Sequence, residues 1–306
     1  MALESFELFV KDYENISAQN RLRLSFFLDL SREFQSLGIP VLPLKGMDLL
    51  LRAYPSLGMR PMADIDLLIQ KKDIRKIMAF FEKKGFKRKP DEGLTYLSPD
   101  GSINLDIIWD FWYFDRPEDI QTVWQNAANE LLHPEDDLIY QVAYTIAHRG
   151  MLSEMFVRDL NFFLEKESTL IDWPRLAQKI KRLKLRVAFF HGFSYALEKE
   201  ALSIPKDFLV ALQPSSLNER ALASLFKRLV TEAPQPKISY FFTWLGYPGF
   251  RGKLQLLREK ILPTPLELEI RRGITSPAGY IAYLFLHPIF ILIRGLGFAL
   301  KSLCGF

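Results

Sequence analysis

The chain has little that would staple or address it. Its 306 residues include one cysteine, Cys304, which excludes an intramolecular disulfide and a thiolate metal cluster and suits a reducing compartment. Of its four histidines, His133, His191 and His287 share no metal-ligand spacing, so nothing points to structural zinc. The opening residues, MALESFELFVKDYE, lack a basic segment followed by an apolar core and do not read as a signal peptide. A cytoplasmic location is the expectation. There is no tandem repeat, no low-complexity segment and no long basic stripe, and the last absence argues against a nucleic-acid partner. Net charge is only +4, with a pI near 8.9. That mild excess fits a phosphate-bearing ligand or an anionic surface without requiring either.

What is present is enough apolar material for a sizeable core. Apolar residues make up 49% and charged residues 25%, as in ordinary globular proteins. The length corresponds to about two domains. The 25 Phe and 11 Tyr exclude a mostly disordered chain.

Residues 20–36 carry Leu22, Leu24, Phe26, Phe27, Leu30 and Phe34 near helical spacing. Ile39 to Leu44 reads as a strand ended by Lys45-Gly46, and Met47 to Tyr54 as a helix. Pro55 to Met62 is a loop punctuated by Gly58 and Pro61. Ala63 to Ile69, ADIDLLI, is the next strand. Lys71 to Lys84 is an amphipathic helix with Ile74, Ile77, Met78 and Phe81 on its apolar face and Gly85 as the residue after its end. Phe86 to Lys89 and Leu94 to Leu97 are short strands, and Ile103 to Trp109, INLDIIW, is a stronger one. After Pro117 the period is helical to about residue 200. Within that stretch Asp172 caps a helix through Arg182 that carries Pro174 in its first turn.

Ser276 to Ile293 holds no Asp, Glu, Lys or Arg, and its length approaches that of a bilayer span. Pro277, Gly279, His287 and Pro288 interrupt it. The expectation is a buried or domain-docking helical tail over about 276–306. A helix lying on a membrane surface is the second reading and a true span the third.

The chemistry concentrates in ADIDLLI. Residues two apart on a strand share a face, so Asp64 and Asp66 point together while Ile65 and Leu67 point the other way. Carboxylates that close repel unless something positive lies between them, and a divalent cation such as Mg²⁺ serves well. Asp106, in the middle of INLDIIW, would be costly to bury unpaired. If that strand lies beside ADIDLLI, three carboxylates converge, as two-metal phosphoryl or nucleotidyl transfer needs. Asp110 has the same parity and could substitute, but it fits the end of the strand better. Lys45 and Gly46 lie between a strand and a helix, where the helix amides could accept a phosphate. The Arg60 fork suits phosphate oxygens as well. The plainer readings are a loop-capping Asp64, an Asp66 paired with a nearby cation, and Lys45 and Arg60 in salt bridges to Asp48 or Asp64.

Taken together, LKGMDLLLRAYPSLGMRPMADIDLLI resembles the glycine-loop and paired-aspartate region of the polymerase-beta-like nucleotidyltransferase superfamily. It is most similar to the bacterial uncharacterised nucleotidyltransferase family: Leu44-Lys45-Gly46, then Arg60, then Asp64 to Leu68, then Gly85-Phe86. In the second half His148 within AYTIAHRG, Arg158-Asp159-Leu160 and Asp172-Trp173 follow the same family's order. The resemblance runs from about residue 20 to about 200. Lys-Gly stands where the superfamily usually has Gly-Ser or Gly-Gly, and Ile108 stands where many family members carry a histidine before the tryptophan, here Trp109.

The resemblance implies an α+β fold, with a nucleotidyltransferase-like catalytic domain over 1–117 built on a mixed sheet flanked by helices, and a mostly helical domain over 118–306. It implies Asp64, Asp66 and Asp106 as metal ligands and catalytic groups, with Lys45 and Gly46 by the triphosphate. The cofactor would be Mg²⁺, with Mn²⁺ as a substitute, and the substrate a nucleoside triphosphate such as ATP. The expected reaction moves a nucleoside monophosphate to a protein side chain, small metabolite or RNA end and releases pyrophosphate. His148 could contact the nucleotide, the acceptor or a phosphate, or be a helix-end histidine satisfied by the last-turn carbonyls. Asp159 reads as a structural partner of Arg158, Arg149 or His148. Trp109, Trp112, Tyr113 and Trp173 read as aromatic packing. The competing readings are an inactive nucleotide-binding or regulatory protein on this fold, a toxin-like transferase working with a partner, and a membrane-surface scaffold led by the tail.

Overall fold

A computed structural model of the chain describes residues 2–89, 93–114, 116–230, 265–287 and 289. The order begins with helix α1 (Ala2–Ser36), strand β1 (Val41–Leu44), helix α2 (Lys45–Arg52) and strand β2 (Asp64–Ile69). Helix α3 (Ile74–Lys83), the short strands β3 (Lys87–Arg88) and β4 (Thr95–Leu97), and β5 (Asn104–Ile108) follow. Helices α4 (Pro117–Asn126), α5 (Pro134–Val142), α6 (Glu154–Glu167), α7 (Trp173–Arg182), α8 (Arg186–Lys199), α9 (Lys206–Leu212) and α10 (Leu217–Leu229) come next. A mixed five-stranded sheet with helices, followed by helical structure, is the α+β arrangement expected.

Two differences in extent have plain causes. The first helix reaches back to Ala2 because no Pro or Gly interrupts residues 2–36. Lys45 and Gly46 form the first turn of α2 rather than a link before it. Where turn chemistry was strong the boundaries agree: Gly85 follows α3 with φ +78°, and Asp172 caps α7 by accepting from Arg175 N–H at 3.0 Å.

The sheet runs β1-β2-β5-β4-β3. β1 is antiparallel to β2, with Leu44 opposite Asp66. β2 is parallel to β5, with Asp64 opposite Asn104 and Asp66 opposite Asp106. On the other parity Ile65, Leu67, Leu105 and Ile107 are buried, which holds the register because a one-residue slip of β5 would turn Leu105 and Ile107 off that face. One hydrophobic cluster runs from Leu42 of β1 through Phe163 and Phe193 to Phe226.

α5 is buried at every residue, including Glu135, Asp136 and Asp137. Negative charge suits a helix N-terminus, but burial demands partners. Glu135 takes Arg175 at 2.6 Å and Asp136 takes Lys179, both from α7. Asp137 accepts from Gln141 at 2.7 Å and faces Arg52 at 3.8 Å. Arg52 in turn donates twice to Asp48, at 2.8 and 2.9 Å, and once to the Leu132 carbonyl at 2.8 Å.

The chain divides into two compact units, residues 1–87 with 96–246, and residues 88–95 with 247–306. The β1-β2-β5 pairing, the hydrophobic cluster and the ion pairs of α5 lie in the first. In the second, a helix over Pro265–Arg272 buries Leu268 and Ile270, and its Glu269 carbonyl lies 3.5 Å from the Arg88 guanidinium. Residues 277–287 of the apolar tail are helical, with Ile281, Phe285 and Leu286 exposed. The rest of the tail, Cys304 included, lies outside the described residues apart from position 289. Among the described residues no helix is long and apolar enough to cross a membrane.

Candidate active site

The parallel pairing of β2 with β5 brings the aspartates together. One carboxylate oxygen from each of Asp64, Asp66 and Asp106 lies within 4.8 Å of the others. Asp66 is buried, and Asp64 and Asp106 are half-buried. Burial, followed by the charges of Asp64 and Asp106, outweighs Lys45 and pushes the Asp66 carboxyl up to about 6. Such a cluster favours a cation. Its hard oxygen donors suit Mg²⁺ or Mn²⁺ rather than a soft metal. Asn104 adds an independent sign of fit, since its Oδ1, across the ladder from Asp64, is buried without a hydrogen-bond partner. Asp110 stands past the strand and accepts from Phe111 N–H at 2.8 Å.

Lys45 supplies a positive charge in direct contact with Asp66. Its Nζ lies 2.5 Å from Asp66 Oδ1 and 3.7 Å from the centre of the Tyr144 ring. Burial lowers the Lys45 ammonium, but Asp66, Tyr140 and Tyr144 more than offset this and hold it above its ordinary range. Its backbone takes φ +51°, a left-handed conformation that Lys rarely adopts. The fold therefore spends local strain to aim this side chain.

Gly46 and Arg60 are packed together. A Cβ at Gly46 would lie 2.4 Å from Arg60 Nη1 and 2.5 Å from Met62 Sδ. Arg60 makes a two-pronged bond to Asp159 of α6, Nε to Oδ1 and Nη2 to Oδ2, both at 2.9 Å. The Tyr54 hydroxyl donates to the same carboxylate at 2.5 Å. Asp159 thus pairs with Arg60 and Tyr54 rather than with its sequence neighbours. Burial lowers the Arg60 guanidinium, but Asp159 first and Asp66 last offset this, so it is held above its ordinary range. Gly46→Ala is expected to push Arg60 off Asp159 and lower stability by about 1–3 kcal/mol. Chemical denaturation would read that loss, and an unchanged midpoint would contradict the close packing.

α1 straps this loop from behind. Asn20 Nδ2 donates to the carbonyls of Leu57 and Arg60, both at 2.7 Å, and Tyr13 is hydrogen-bonded to Ser56. Arg23, also from α1, is influenced by the charge of Asp64, and its Nε is buried without a hydrogen-bond partner. Nothing in the sequence singles out Asn20 or Arg23, because both sit in an ordinary amphipathic helix.

His148 ends a π-helical segment, Ala143–His148, a distortion common at functional sites. Its ring stacks against Tyr144, with centroids 5.4 Å apart, and lies 5.7 Å from Trp112. Tyr144 is therefore the residue between His148 and Lys45. Tyr113 is buried, and Trp173 packs edge-on to Phe208.

A family model described as "Uncharacterised nucleotidyltransferase" matches residues 4–198. The match takes in most of α1, all five strands and most of α8. Searches of curated proteins and of solved structures found no match.

Proposed function

Because the chain belongs to the uncharacterised nucleotidyltransferase family, we propose that it transfers a nucleoside monophosphate from a nucleoside triphosphate to an acceptor hydroxyl in a Mg²⁺-dependent reaction that releases pyrophosphate. The observation that carries this reading is the convergence of Asp64, Asp66 and Asp106 across the parallel β2–β5 pair. Asp64, Asp66 and Asp106 would hold the metal, which when bound supplies charge stabilisation to the transferring phosphoryl group.

This chain's residues account for the other demands. The acceptor oxygen attacks the α-phosphorus as the α–β bridging oxygen leaves with pyrophosphate, and Asp106 takes the hydroxyl proton. Asp106 suits that task because it is less enclosed than Asp66. Lys45 and the amides at the start of α2 would receive phosphate oxygens, with Gly46 keeping the approach short. The Arg60–Asp159–Tyr54 linkage fixes the loop before β2 against α6, so residues 1–117 would bear the chemistry while later helices brace it.

The test is calorimetric titration of MgATP, MgGTP, MgCTP and MgUTP into wild type and a D64N/D66N variant. Binding that requires Mg²⁺ and disappears in the variant is expected. Equal binding by the variant would remove the carboxylates from the reading, and no binding by folded wild type would remove the nucleotide.

A further inference from the structure

The motif AYTIAHRG contains a second cation, held on the same tyrosine as Lys45. Arg149 follows the π-helical segment directly and is exposed. Its guanidinium is not loose: Nε and Nη2 both donate to the Tyr144 hydroxyl, at 2.9 and 2.7 Å. The guanidinium carbon also lies 5.2 Å from the centre of the Tyr144 ring. On this same ring the Lys45 ammonium sits 3.7 Å from the centre. One tyrosine therefore presents two cations, one over its face and one at its hydroxyl. Both are tied electrostatically to the aspartates, Lys45 by direct contact with Asp66 and Arg149 through the charges of Asp64 and Asp66.

We propose that Arg149, oriented by Tyr144, is a polyphosphate-binding residue that grips the β- and γ-phosphates of the nucleotide opposite Lys45. The inference rests on the nucleotidyltransferase reading above and adds to it a residue and a positioning partner. The chemistry suits the role. A guanidinium anchored through Nε and one terminal nitrogen keeps its other terminal nitrogen for an incoming oxygen, and an exposed cation at the rim of an acidic site meets the part of the substrate that carries most charge. A tyrosine hydroxyl is a neutral anchor. It holds Arg149 in place without cancelling its charge, as a carboxylate would.

The π-helical turn explains how the arrangement arises. A π-turn shifts the following residues around the helix axis relative to an α-turn. Tyr144 and His148 stack along the segment, and Gly150, at φ +60°, turns the chain away directly after Arg149.

The experiment measures binding of inorganic tripolyphosphate, of the four nucleoside triphosphates and of the four nucleoside monophosphates, all with Mg²⁺, to wild type, R149A, R149K and Y144F. R149A is expected to weaken tripolyphosphate and triphosphate binding by about ten- to a hundredfold, the loss of a charge-assisted hydrogen bond, and to leave monophosphate binding unchanged. R149K should recover part of the loss. Y144F keeps the ring under Lys45 but frees Arg149, and should show a smaller loss with the same selectivity. Because Arg149 is exposed, the melting temperature of R149A should match wild type. An R149A protein that binds tripolyphosphate as wild type does, or loses monophosphate binding equally, overturns the assignment. Wild type that binds tripolyphosphate but no nucleotide, with R149A reducing that binding, overturns the transferase reading and leaves the polyphosphate site standing. Wild type that binds none of these compounds overturns both.

Discussion

Lys45→Met is expected to lower the stability of the metal-free protein by about 3–5 kcal/mol, the cost of leaving a buried charge without its partner. Asp66 is buried, its carboxyl is already raised by burial and by its two acidic neighbours, and Lys45 is its bonded counter-ion. Removing the ammonium leaves three converging carboxylates without the cation bonded to Asp66. Two further results separate this cause from loss of packing. Mg²⁺ at about a hundredfold over its dissociation constant should return about 2.7 kcal/mol, because it would supply the carboxylates with positive charge. A K45M/D66N double variant should be markedly less damaged than K45M alone, since both halves of the pair are then absent. Urea denaturation with and without Mg²⁺ measures all three quantities. A K45M protein as stable as wild type without metal would mean that Lys45 is not the counter-ion of the aspartates.

Arg52→Ala is expected to be of similar size, about 3–5 kcal/mol, for a reason remote from the chemistry. Arg52 bonds to Asp48 and to the Leu132 carbonyl, and its charge also faces Asp137 and Glu167, at 3.8 and 3.7 Å. Asp48 and Asp137 are fully buried. Burial, followed by the charge of Asp48, already pushes the Asp137 carboxyl well above its usual range despite Arg52. The sign of the pH dependence follows. A carboxyl raised in the folded state binds its proton more tightly there than in the unfolded chain. Its contribution to stability is therefore full below the unfolded value near 4 and is lost as pH rises through the folded one. Without Arg52 the folded value rises further, so the part of the deficit that comes from Asp137 is absent while that carboxyl is protonated in both folded proteins and grows as pH rises through its wild-type folded value. Denaturation followed from about pH 5 into the alkaline range tests this. A deficit independent of pH would assign it to packing of the aliphatic stem instead.

The two effects also show what could be read from the sequence. The shared face of Asp64 and Asp66 follows from the two-residue period of a strand, and the cost of an aspartate inside INLDIIW marked Asp106. Helix and strand positions up to β5 followed apolar spacing and the Gly and Pro punctuation. Partners far apart along the chain were not legible. Lys45 and Asp66 are 21 positions apart, and Arg60 and Asp159 are 99 apart. No local pattern encodes such pairings. The acids of α5 misdirect for a related reason: Glu135-Asp136-Asp137 looks like the solvated first turn of a surface helix, and the cations of α7 and Arg52 help make its burial tolerable. Arg149 was overshadowed by His148, the more familiar chemical residue beside it.

The parallel register of β2 and β5 has a consequence for how the molecule comes to be competent at all. These neighbours in the sheet are separated in sequence by α3, β3 and β4, so their pairing closes a long loop and belongs among the slower steps of folding. Until it closes, Asp64 and Asp66 lack Asp106. A one-residue error in closing would turn Asp106 to the opposite face while bringing Leu105 and Ile107 out of the core. The apolar residues on the far side of the sheet face away from the aspartates, yet they act as a proofreader. A chain that seats Ile65, Leu67, Leu105 and Ile107 correctly has, by that act alone, aligned its three aspartates.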